Sequence, residues 1–351
     1  MVNRTRAPQT ALRFLLPAHS ELISGGNLYN LGFLSALERC SEVERSSIDL
    51  LALRLEQRLP GIYLLDSLDL ERASLLERRS AEQRFGLLVH HLPSLEPAAV
   101  GTELEREAYA LSQFDFWVAT SGFTRELLIG RGYPAERVLA VPPGAPAFAP
   151  TEMEASAGRK ALSALPPNAL IVANLIPRKA VAEWLSALSP ELRPSDAFSL
   201  EIAGRTDLDP IYAGMARGLV AADAELSRRV RFLGEIPHPE MAATYAGASL
   251  LVSSSGMETF GIALQEARAL GLPILALDRG NAREHVVHGV NGLLAPSLEA
   301  LARAFLELVR APERWQGLLD GAAGVPRAGD GWDAVVARFL AELARLSASW
   351  R

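Results

Sequence analysis

At 351 residues the chain is longer than a single compact core usually grows, so its length favours two domains of roughly 150 to 200 residues each. Hydrophobic residues make up 49% of the chain and charged residues 22%, a balance that is typical of globular proteins and not of disordered ones. The net charge of −6 argues against nucleic acid as a partner, and a single cysteine, Cys40, excludes an internal disulfide.

The N-terminus carries two basic residues, Arg4 and Arg6, before an apolar run, as a secretion signal would. Arg13 interrupts that run, and the uninterrupted part, Phe14 to Pro17, is only as long as a strand. A helix that spans a bilayer needs about 20 apolar residues, and no segment of this chain reaches that length. We therefore expect a cytoplasmic protein without a transmembrane segment, with at most peripheral contact at the inner face of a membrane.

The first half alternates short apolar runs with longer stretches of helical periodicity, which is typical of parallel strands joined by crossover helices. The predicted strands are Leu12 to Leu16, Gly61 to Leu65, Phe85 to Val89, Phe116 to Ala119 and Val138 to Val141. The Pro- and Gly-rich run Val141 to Pro146, with the mixed stretch up to Pro167, predicts a linker because both residue types break ladders and helices. An N-terminal Rossmann-like domain is therefore placed at residues 1–150.

The second half repeats the same alternation. Its predicted strands are Leu170 to Ala173, Leu200 to Ala203, Val230 to Leu233, Leu250 to Ser253 and Pro273 to Ala276. Gly321 to Gly331 is Gly-rich and predicts a loop, whereas apolar residues at helical spacing predict a closing helix over Trp332 to Leu346. The predicted fold class is α/β, with two Rossmann-like domains facing each other across a cleft. The second domain covers residues 151–330, and residues 331–351 form a helix that crosses back to the first.

Two motifs in the first half follow predicted strands. Gly25 and Gly26 lie between the first strand and a helix, where paired glycines let the backbone approach a phosphate closely. They match neither a GxGxxG fingerprint nor a P-loop, so an ordinary tight turn is the alternative. His90 and His91 follow Phe85 to Val89, and side chains at the carboxyl ends of parallel strands line ligand-binding crevices. A structural role is the alternative for these histidines.

The segment from Ser253 to Ala267 is a strand end, a loop of small residues and then a helix, and it contains Glu258 and Glu266. If most of it is helical, the two carboxylates lie about 12 Å apart, comparable to the reach from sugar to ribose across a diphosphate. Backbone N–H groups at the helix start, at Thr259, Phe260, Gly261 and Ile262, can receive that diphosphate. The alternatives are that Glu258 caps the helix and that Glu266 is a solvated surface charge.

Asp207 and Asp209 form an Asp-x-Asp pattern that invites a metal-binding interpretation. Because Pro210 follows, Asp209 as the N-cap of a helix with proline in its first position explains the pattern locally. No other grouping of His, Cys, Asp and Glu suggests a metal site, and no cofactor is expected. Ser121 and Ser253 to Ser255 lack a nucleophile elbow, so nothing supports a hydrolase triad.

Several motifs, in order along the chain, resemble family 4 of the retaining glycosyltransferases, which have the GT-B fold. They are Thr120 to Thr124, Val141 to Gly144, Ile176 to Lys179, Ile202 to Gly204, Glu258 to Glu266, Ala269 to Ile274 and Gly289 to Leu294. The resemblance covers nearly the whole chain and is strongest from about Asn174 to Leu294. Motifs in series are far more specific than any one alone.

The resemblance implies roles for individual residues. Glu266 matches the glutamate that binds the donor ribose, and Glu258 matches the one that contacts the transferred sugar and balances positive charge at its anomeric carbon. Lys179 matches the cation on the donor diphosphate, where it stabilises the charge of the leaving group; otherwise it is a solvated lysine at a helix start. Asn174 stands where the family usually has a second cation, and Arg178 is a candidate to replace it.

In the first domain the resemblance implies that Gly25 and Gly26 face the donor diphosphate and the acceptor. It also implies that His90 or His91 contacts donor sugar or acceptor, without deciding which of the two. The predicted activity is metal-independent transfer of a hexose-type sugar from a nucleotide-diphosphate sugar, with retained anomeric configuration. The acceptor, whether a sugar, a lipid-linked glycan or a small molecule, is left open. The alternatives are a nucleotide-sugar epimerase and a silent partner that only binds a nucleotide sugar.

Overall fold

The structure is a computed structural model that describes residues 11–18, 20, 24–96, 100–146, 167–325 and 329–350. The chain divides into two compact units, of which the first combines Met1–Gly144 with Asp330–Arg351 and the second is Ala145–Gly329. The central part of the expected linker, residues 147–166, lies outside the described residues.

The first unit is built on a six-stranded parallel sheet with strand order β2-β1-β3-β4-β5-β6. Its strands are β1 Leu12–Leu16, β2 Val43–Ser47, β3 Gly61–Asp66, β4 Gln83–Val89, β5 Phe116–Ala119 and β6 Val138–Ala140. The sequence analysis missed β2. This strand lies at the edge of the sheet and consists mostly of polar, partly exposed residues, so it carries no apolar run.

Helices pack on the strands of this sheet. They are α1 Gly25–Cys40, α2 Leu51–Glu56, α3 Gly101–Ser112 and α4 Gly122–Gly130. The start of α1 is fixed by the Ser24 hydroxyl, which accepts a hydrogen bond from the Asn27 N–H as an N-cap. Leucine, phenylalanine and tyrosine side chains fill the core against β3 and β4, where Tyr63 stacks on Phe85 with ring centroids 4.9 Å apart.

The second unit has its own six-stranded parallel sheet, with order β12-β11-β10-β7-β8-β9. Its strands are β7 Asn168–Val172, β8 Ser199–Ala203, β9 Val230–Gly234, β10 Leu250–Ser253, β11 Ile274–Leu277 and β12 Gly292–Ala295. The edge strand β12 was not predicted either; it begins with glycine, and its two central residues are only partly buried. The predicted α/β class with two Rossmann-like parallel sheets is confirmed.

The helices of the second unit are α5 Val181–Leu188, α6 Pro210–Ala222, α7 Ala224–Arg229, α8 Met241–Gly247, α9 Ile262–Leu270, α10 Ala282–His285, α11 Leu298–Arg310 and α12 Pro312–Gly324. The prediction of a loop over Gly321 to Gly331 is wrong for its first four residues, which complete α12. Gly321 is needed there because a Cβ would lie 2.0 Å from the Val290 carbonyl oxygen.

Segments of 3-10 helix connect these elements. They are Ile48–Leu50, Ser67–Arg78, Pro93–Leu95, Ala135–Arg137, Pro177–Lys179, Ser189–Glu191 and His238–Glu240. One of them, Pro177–Lys179, lies after β7 and carries Arg178 and Lys179 into the site described below.

The last helix, α13 Trp332–Ala348, belongs to the first unit and packs on α1. Trp332 contacts Tyr29 edge to face, with ring centroids 5.1 Å apart, and Phe339 contacts Phe33 in the same way at 5.2 Å. Gly32 makes the approach possible, since a Cβ there would lie 2.5 Å from the Trp332 ring. The chain end therefore completes the core of the unit in which the chain begins.

Each sheet has one point at which the strand order reverses. In the first sheet it lies between β1 and β3, and in the second between β7 and β10. The connections that follow two such neighbouring strands run to opposite faces of the sheet. This opens a crevice outside the carboxyl ends of the strands, where ligands bind in open α/β sheets. These two crevices are therefore the places to look for function. No helix in the described part of the chain is both long and apolar enough to cross a bilayer.

Candidate functional site

The crevice of the second unit holds an ion pair between Lys179 and Glu258. The Lys179 Nζ atom lies 2.8 Å from the Glu258 Oε1 atom, and the two side chains are only 19% and 14% exposed. Lys179 reaches this place from the turn after β7, and Glu258 from the loop after β10. Two bonds join these loops: the Ser254 hydroxyl donates to the Lys179 carbonyl at 2.8 Å, and the Gly256 N–H donates to the Arg178 carbonyl at 3.1 Å.

The charge of Glu258 is maintained in spite of its burial. Burial acts to raise the pKa of this carboxyl, but the Lys179 ammonium, its hydrogen bond, the nearby Arg178 charge and a bond from Ser255 together hold the pKa below its usual value. An ionised carboxylate and an ammonium group are thus fixed side by side. Glu258 lies four residues before α9 begins and does not cap it, which contradicts the capping alternative.

A cavity opens beside the ion pair, at the carboxyl ends of β7 and β10. It is lined by Ile171, Val172, Ala173, Lys179, Leu251, Val252, Ser253, Ser254, Ser255, Glu258 and Ala263. Ala263 belongs to the first turn of α9, so the start of that helix faces the same cavity as the ion pair. The cavity therefore combines a cation, a carboxylate and a helix N-terminus.

The sequence analysis placed the helix start near Thr259 to Ile262, and α9 begins at the last of these residues. Thr259 and Phe260 belong to the loop before it, and Gly261 is the N-cap residue with a φ of 89°, a conformation that favours glycine. The assumption that most of the segment from Ser253 to Ala267 is helical is wrong, because α9 begins only at Ile262. The estimate of about 12 Å between the two carboxylates loses its basis, because it assumed a helical rise throughout.

Glu266 lies on α9 and is buried, with 4% of its surface exposed. The Tyr245 hydroxyl donates to its Oε2 atom at 2.7 Å, and the His238 Nε2 atom lies 3.0 Å from its Oε1 atom. The bond to Glu266 raises the pKa of His238, while partial burial acts in the opposite direction. These contacts contradict the alternative that Glu266 is a solvated surface charge, and they fix the direction of its carboxylate.

Asn174, which stands where the resemblance implies a cation, holds two loops together. Its Oδ1 atom accepts a hydrogen bond of 3.0 Å from the Arg205 N–H, so it joins the loop after β7 to the loop after β8. The Leu175 N–H adds a bond of 2.8 Å to the Arg205 carbonyl. Arg178, the candidate replacement, is half-buried and its charge acts on Glu258. Positive charge therefore reaches the cavity from Lys179 and Arg178.

The crevice of the first unit contains His90, which packs against Gly26. A Cβ on Gly26 would lie 3.4 Å from the His90 Cδ2 atom. The His90 Nε2 atom is 2.9 Å from Asn30 Oδ1, and the Asn30 amide donates to Asp66 in a short hydrogen bond. Asp66 ends β3, His90 follows β4 and Asn30 lies on α1, so three elements meet at this buried network.

His91 is placed differently from His90. Its Nε2 atom lies 2.8 Å from Glu96 Oε1, and its side chain is 22% exposed. Gly25 is the first residue of α1, directly after the Ser24 cap. The structure thus brings Gly26 and His90 together in the first unit, and Lys179, Arg178 and Glu258 together in the second.

The Asp-x-Asp pattern has the local explanation that the sequence analysis gave it. The Asp209 side chain accepts a hydrogen bond of 2.9 Å from the Tyr212 N–H, and Pro210 is the first residue of α6. Asp207 forms an ion pair with Arg205. In the described parts of the chain, no three His, Cys, Asp or Glu side chains are grouped as metal ligands.

Sequence reasoning missed the residues that hold the predicted ones in place. They are Asn30, Asp66, His238, Tyr245, Asn281 and His285. Asp66 gave a usable signal, because it is a charged residue at the end of an apolar strand. Asn30 lies on the same helix as Gly26, whereas the remaining four come from distant parts of the chain and reach the sites only through the fold.

Comparison with known proteins identifies the relationship. Residues 166–311 match the family described as Glycosyl transferases group 1. A D-inositol 3-phosphate glycosyltransferase of Thermobispora bispora is 35% identical over 233 residues, which cover 62% of this chain and 53% of that protein. The chain thus spans about half the length of this curated relative.

Solved structures share the fold over almost the whole chain. Sucrose-phosphate synthase from Thermosynechococcus elongatus matches with a TM-score of 0.74 and 19% identity, covering 97% of this chain and 100% of that one. HepE from Anabaena, in a complex with UDP-glucose, matches with a TM-score of 0.71 and 17% identity, covering 96% and 100%. At these identities the likeness concerns the fold alone.

Proposed function

Because this chain belongs to the family 4 glycosyltransferases with the GT-B fold, we propose that it transfers a sugar from a nucleoside-diphosphate-sugar donor to an acceptor. The observation that carries this proposal is the Lys179–Glu258 ion pair in the cavity between β7 and β10, beside the start of α9. A diphosphate needs positive charge and N–H donors, and a sugar that develops positive charge needs a carboxylate. This cavity offers all three.

In the proposed donor complex, Lys179 and the N–H groups at the start of α9 bind the diphosphate. Arg178 supplies further positive charge in place of the cation that Asn174 does not provide. A helix N-terminus favours anions because its first N–H groups lack intrahelical partners and lie at the positive end of the helix dipole. Glu266 binds the ribose hydroxyls, and Tyr245 and His238 fix its orientation.

During transfer the bond between the anomeric carbon and the diphosphate oxygen breaks, and the acceptor oxygen forms the new bond to that carbon. Negative charge grows on the leaving nucleoside diphosphate, where Lys179 and the helix start are preorganised to stabilise it. Glu258 stabilises the positive charge on the sugar. We propose, from the family resemblance, that the anomeric configuration is retained and that the sugar is a hexose.

We also propose that the reaction is metal-independent. In metal-dependent transferases a divalent ion neutralises the departing diphosphate. Here an ammonium group and a helix N-terminus at one cavity can supply the same stabilisation.

The acceptor is proposed to bind in the first unit, near Gly26 and His90. Its class, whether a sugar, a lipid-linked glycan or a small molecule, follows from pocket shape and not from the shared motifs. Of the two histidines, His90 is the one that lies against the glycine loop, so we propose it as the contact with donor sugar or acceptor. Action in the cytoplasm, with peripheral contact at the inner membrane face, is part of the same proposal.

A second candidate is a silent protein that binds a nucleotide sugar without turning it over. The observation that favours it is Asn174, which is committed to the bond with Arg205 where the family usually has a cation. A nucleotide-sugar epimerase on the same fold is a further alternative without an observation in its favour.

A thermal-shift screen of nucleotide sugars and free nucleoside diphosphates tests donor binding directly. UDP-glucose and UDP are the first ligands to test because HepE was solved with UDP-glucose, and GDP, ADP and their sugars complete the panel. A ligand at 100 times its dissociation constant adds about 2.7 kcal/mol of stability, which is a shift of several degrees. A panel with no stabilising member would contradict the proposal, and stabilisation without any release of nucleoside diphosphate would favour the silent protein.

A further inference from the structure

The peptide between Phe260 and Gly261 has an unusually well-defined orientation. Its carbonyl, on Phe260, accepts two side-chain hydrogen bonds, from His285 Nε2 at 2.7 Å and from Asn281 Nδ2 at 3.0 Å. The His285 ring also packs edge to face against Phe260, with centroids 5.0 Å apart. Both donors come from the segment after β11, so a separate element of the unit holds this peptide.

The direction of the Gly261 N–H follows from that of the carbonyl. In a trans peptide the C=O and N–H bonds point in opposite directions, so fixing the Phe260 oxygen also fixes the Gly261 hydrogen. Within the described residues this N–H has no hydrogen-bond partner. It comes directly before the first N–H groups of α9, one of which belongs to Ala263 in the cavity wall.

The same segment also holds the backbone of Glu258. The Asn281 N–H donates to the Glu258 carbonyl at 2.7 Å. Gly280 has a φ of 56°, and a Cβ there would lie 2.1 Å from that carbonyl oxygen, so only glycine permits this approach. The segment from Gly280 to His285 therefore binds the carbonyls of both neighbours of Thr259, which are Glu258 and Phe260.

His285 acts as a neutral donor. It is 4% exposed, and burial lowers the pKa of its imidazole to about 4. Because a carbonyl can only accept, the proton of the neutral ring is on Nε2. In the described structure its Nδ1 atom is buried without a hydrogen-bond partner, and the bond from Nε2 to Phe260 offsets part of the cost of burying the ring.

We propose that His285 and Asn281 are positioning residues of the donor site, which aim the Gly261 N–H and the start of α9 at the donor diphosphate. This inference rests on the proposed function. Neither residue needs to touch the donor, because both act through the Phe260 carbonyl. Two donors on that carbonyl also polarise the peptide and strengthen its N–H as a donor.

The test compares His285→Gln with His285→Met. Glutamine places an amide N–H about where the imidazole has its Nε2–H, and methionine has nearly the same shape without a donor. Calorimetry measures the affinity of each variant for UDP, or for whichever nucleoside diphosphate of the panel binds best, and for the matching nucleoside. Asn281→Leu provides an independent variant with the second donor removed, and thermal unfolding checks that each variant is folded.

We expect His285→Met and Asn281→Leu to bind the nucleoside diphosphate roughly five- to tenfold more weakly, as one lost hydrogen bond would predict. His285→Gln should recover most of that loss, and nucleoside affinity should stay the same in all three. Two results would overturn the inference: folded His285→Met and Asn281→Leu with parental nucleoside diphosphate affinity, or equal losses for diphosphate and nucleoside. A parent protein that binds no member of the panel would instead contradict the proposed function.

Discussion

At the scale of single residues, the central feature is that Lys179 already has a partner. Its ammonium group pairs with Glu258 at 2.8 Å, although the proposed task of Lys179 is to bind a diphosphate. A donor must therefore compete with this carboxylate or share the ammonium group with it. Glu258 then has opposite effects on binding and on rate.

Glu258→Gln separates these effects. We expect the maximal rate to fall by roughly 10²- to 10³-fold, because a charge that stabilises the transition state is lost. Nucleoside diphosphate should bind about fivefold more tightly, since Lys179 no longer has to leave a partly buried partner worth about 1 kcal/mol. Initial rates and calorimetry measure the two quantities. Glu313→Gln, at an exposed carboxylate on α12, is the control and should change neither. A full rate, or weaker diphosphate binding, would contradict the role given to Glu258.

Asn174 is the second residue for which the structure changes the expectation. From the sequence alone, restoring an arginine there should improve the donor site. The Asn174 side chain, however, accepts the Arg205 N–H, and arginine has no acceptor atom. We expect Asn174→Arg to lower the free energy of unfolding by about 1 kcal/mol without tightening donor binding. Denaturant unfolding and calorimetry test this, with Asn174→Asp, which keeps an acceptor, as the stability control. A gain in affinity or turnover would show that a cation is missing.

At the scale of elements, the sequence was most informative where strands are buried. The central strands β1, β3, β5 and β10 are apolar over most of their length because helices cover both faces of a parallel sheet. Both strands that were missed are edge strands, β2 and β12.

The candidate site was predictable only in part. The motif residues Lys179, Glu258 and Glu266 lie near turns and helix starts that can be seen in the sequence. His238 and Tyr245, which contact Glu266, and His285, which contacts the Phe260 carbonyl, look like ordinary helix and loop residues, and only tertiary packing brings them to the site. The start of α9 was also hard to locate, because a glycine with positive φ and a well-packed loop give no periodic signal.

The packing of α13 on α1 gives a prediction at this scale. Gly32→Ala would place a methyl group 2.5 Å from the Trp332 ring, so we expect the free energy of unfolding to fall by about 1–3 kcal/mol through overpacking. Gly218→Ala in α6 is the matched control, since no atom lies within 4 Å of its Cβ. At this exposed position of α6, alanine should raise the free energy of unfolding by roughly 0.5–1 kcal/mol. Denaturant unfolding of both variants measures these changes. Equal changes in the free energy of unfolding would mean that α13 does not pack on α1 as described.

At the scale of the whole molecule, the chain consists of two units with the same kind of sheet, each with a crevice where the strand order reverses. In the first unit Gly26 and His90 meet at this crevice, and in the second Lys179 and Glu258 do. The likeness to sucrose-phosphate synthase and HepE, at identities below 20%, concerns this fold.

The most direct test of this account is the release of nucleoside diphosphate from nucleotide sugars in the presence of EDTA. With the donor that binds best, the parent protein should turn over at the same rate with and without chelator, because in the proposed mechanism Lys179 and the start of α9 stabilise the leaving diphosphate without a metal ion. Lys179→Met, which keeps the length of the side chain without its charge, should lose nearly all of this activity. Activity that disappears with EDTA and returns with magnesium or manganese, or that survives in Lys179→Met, would contradict the account.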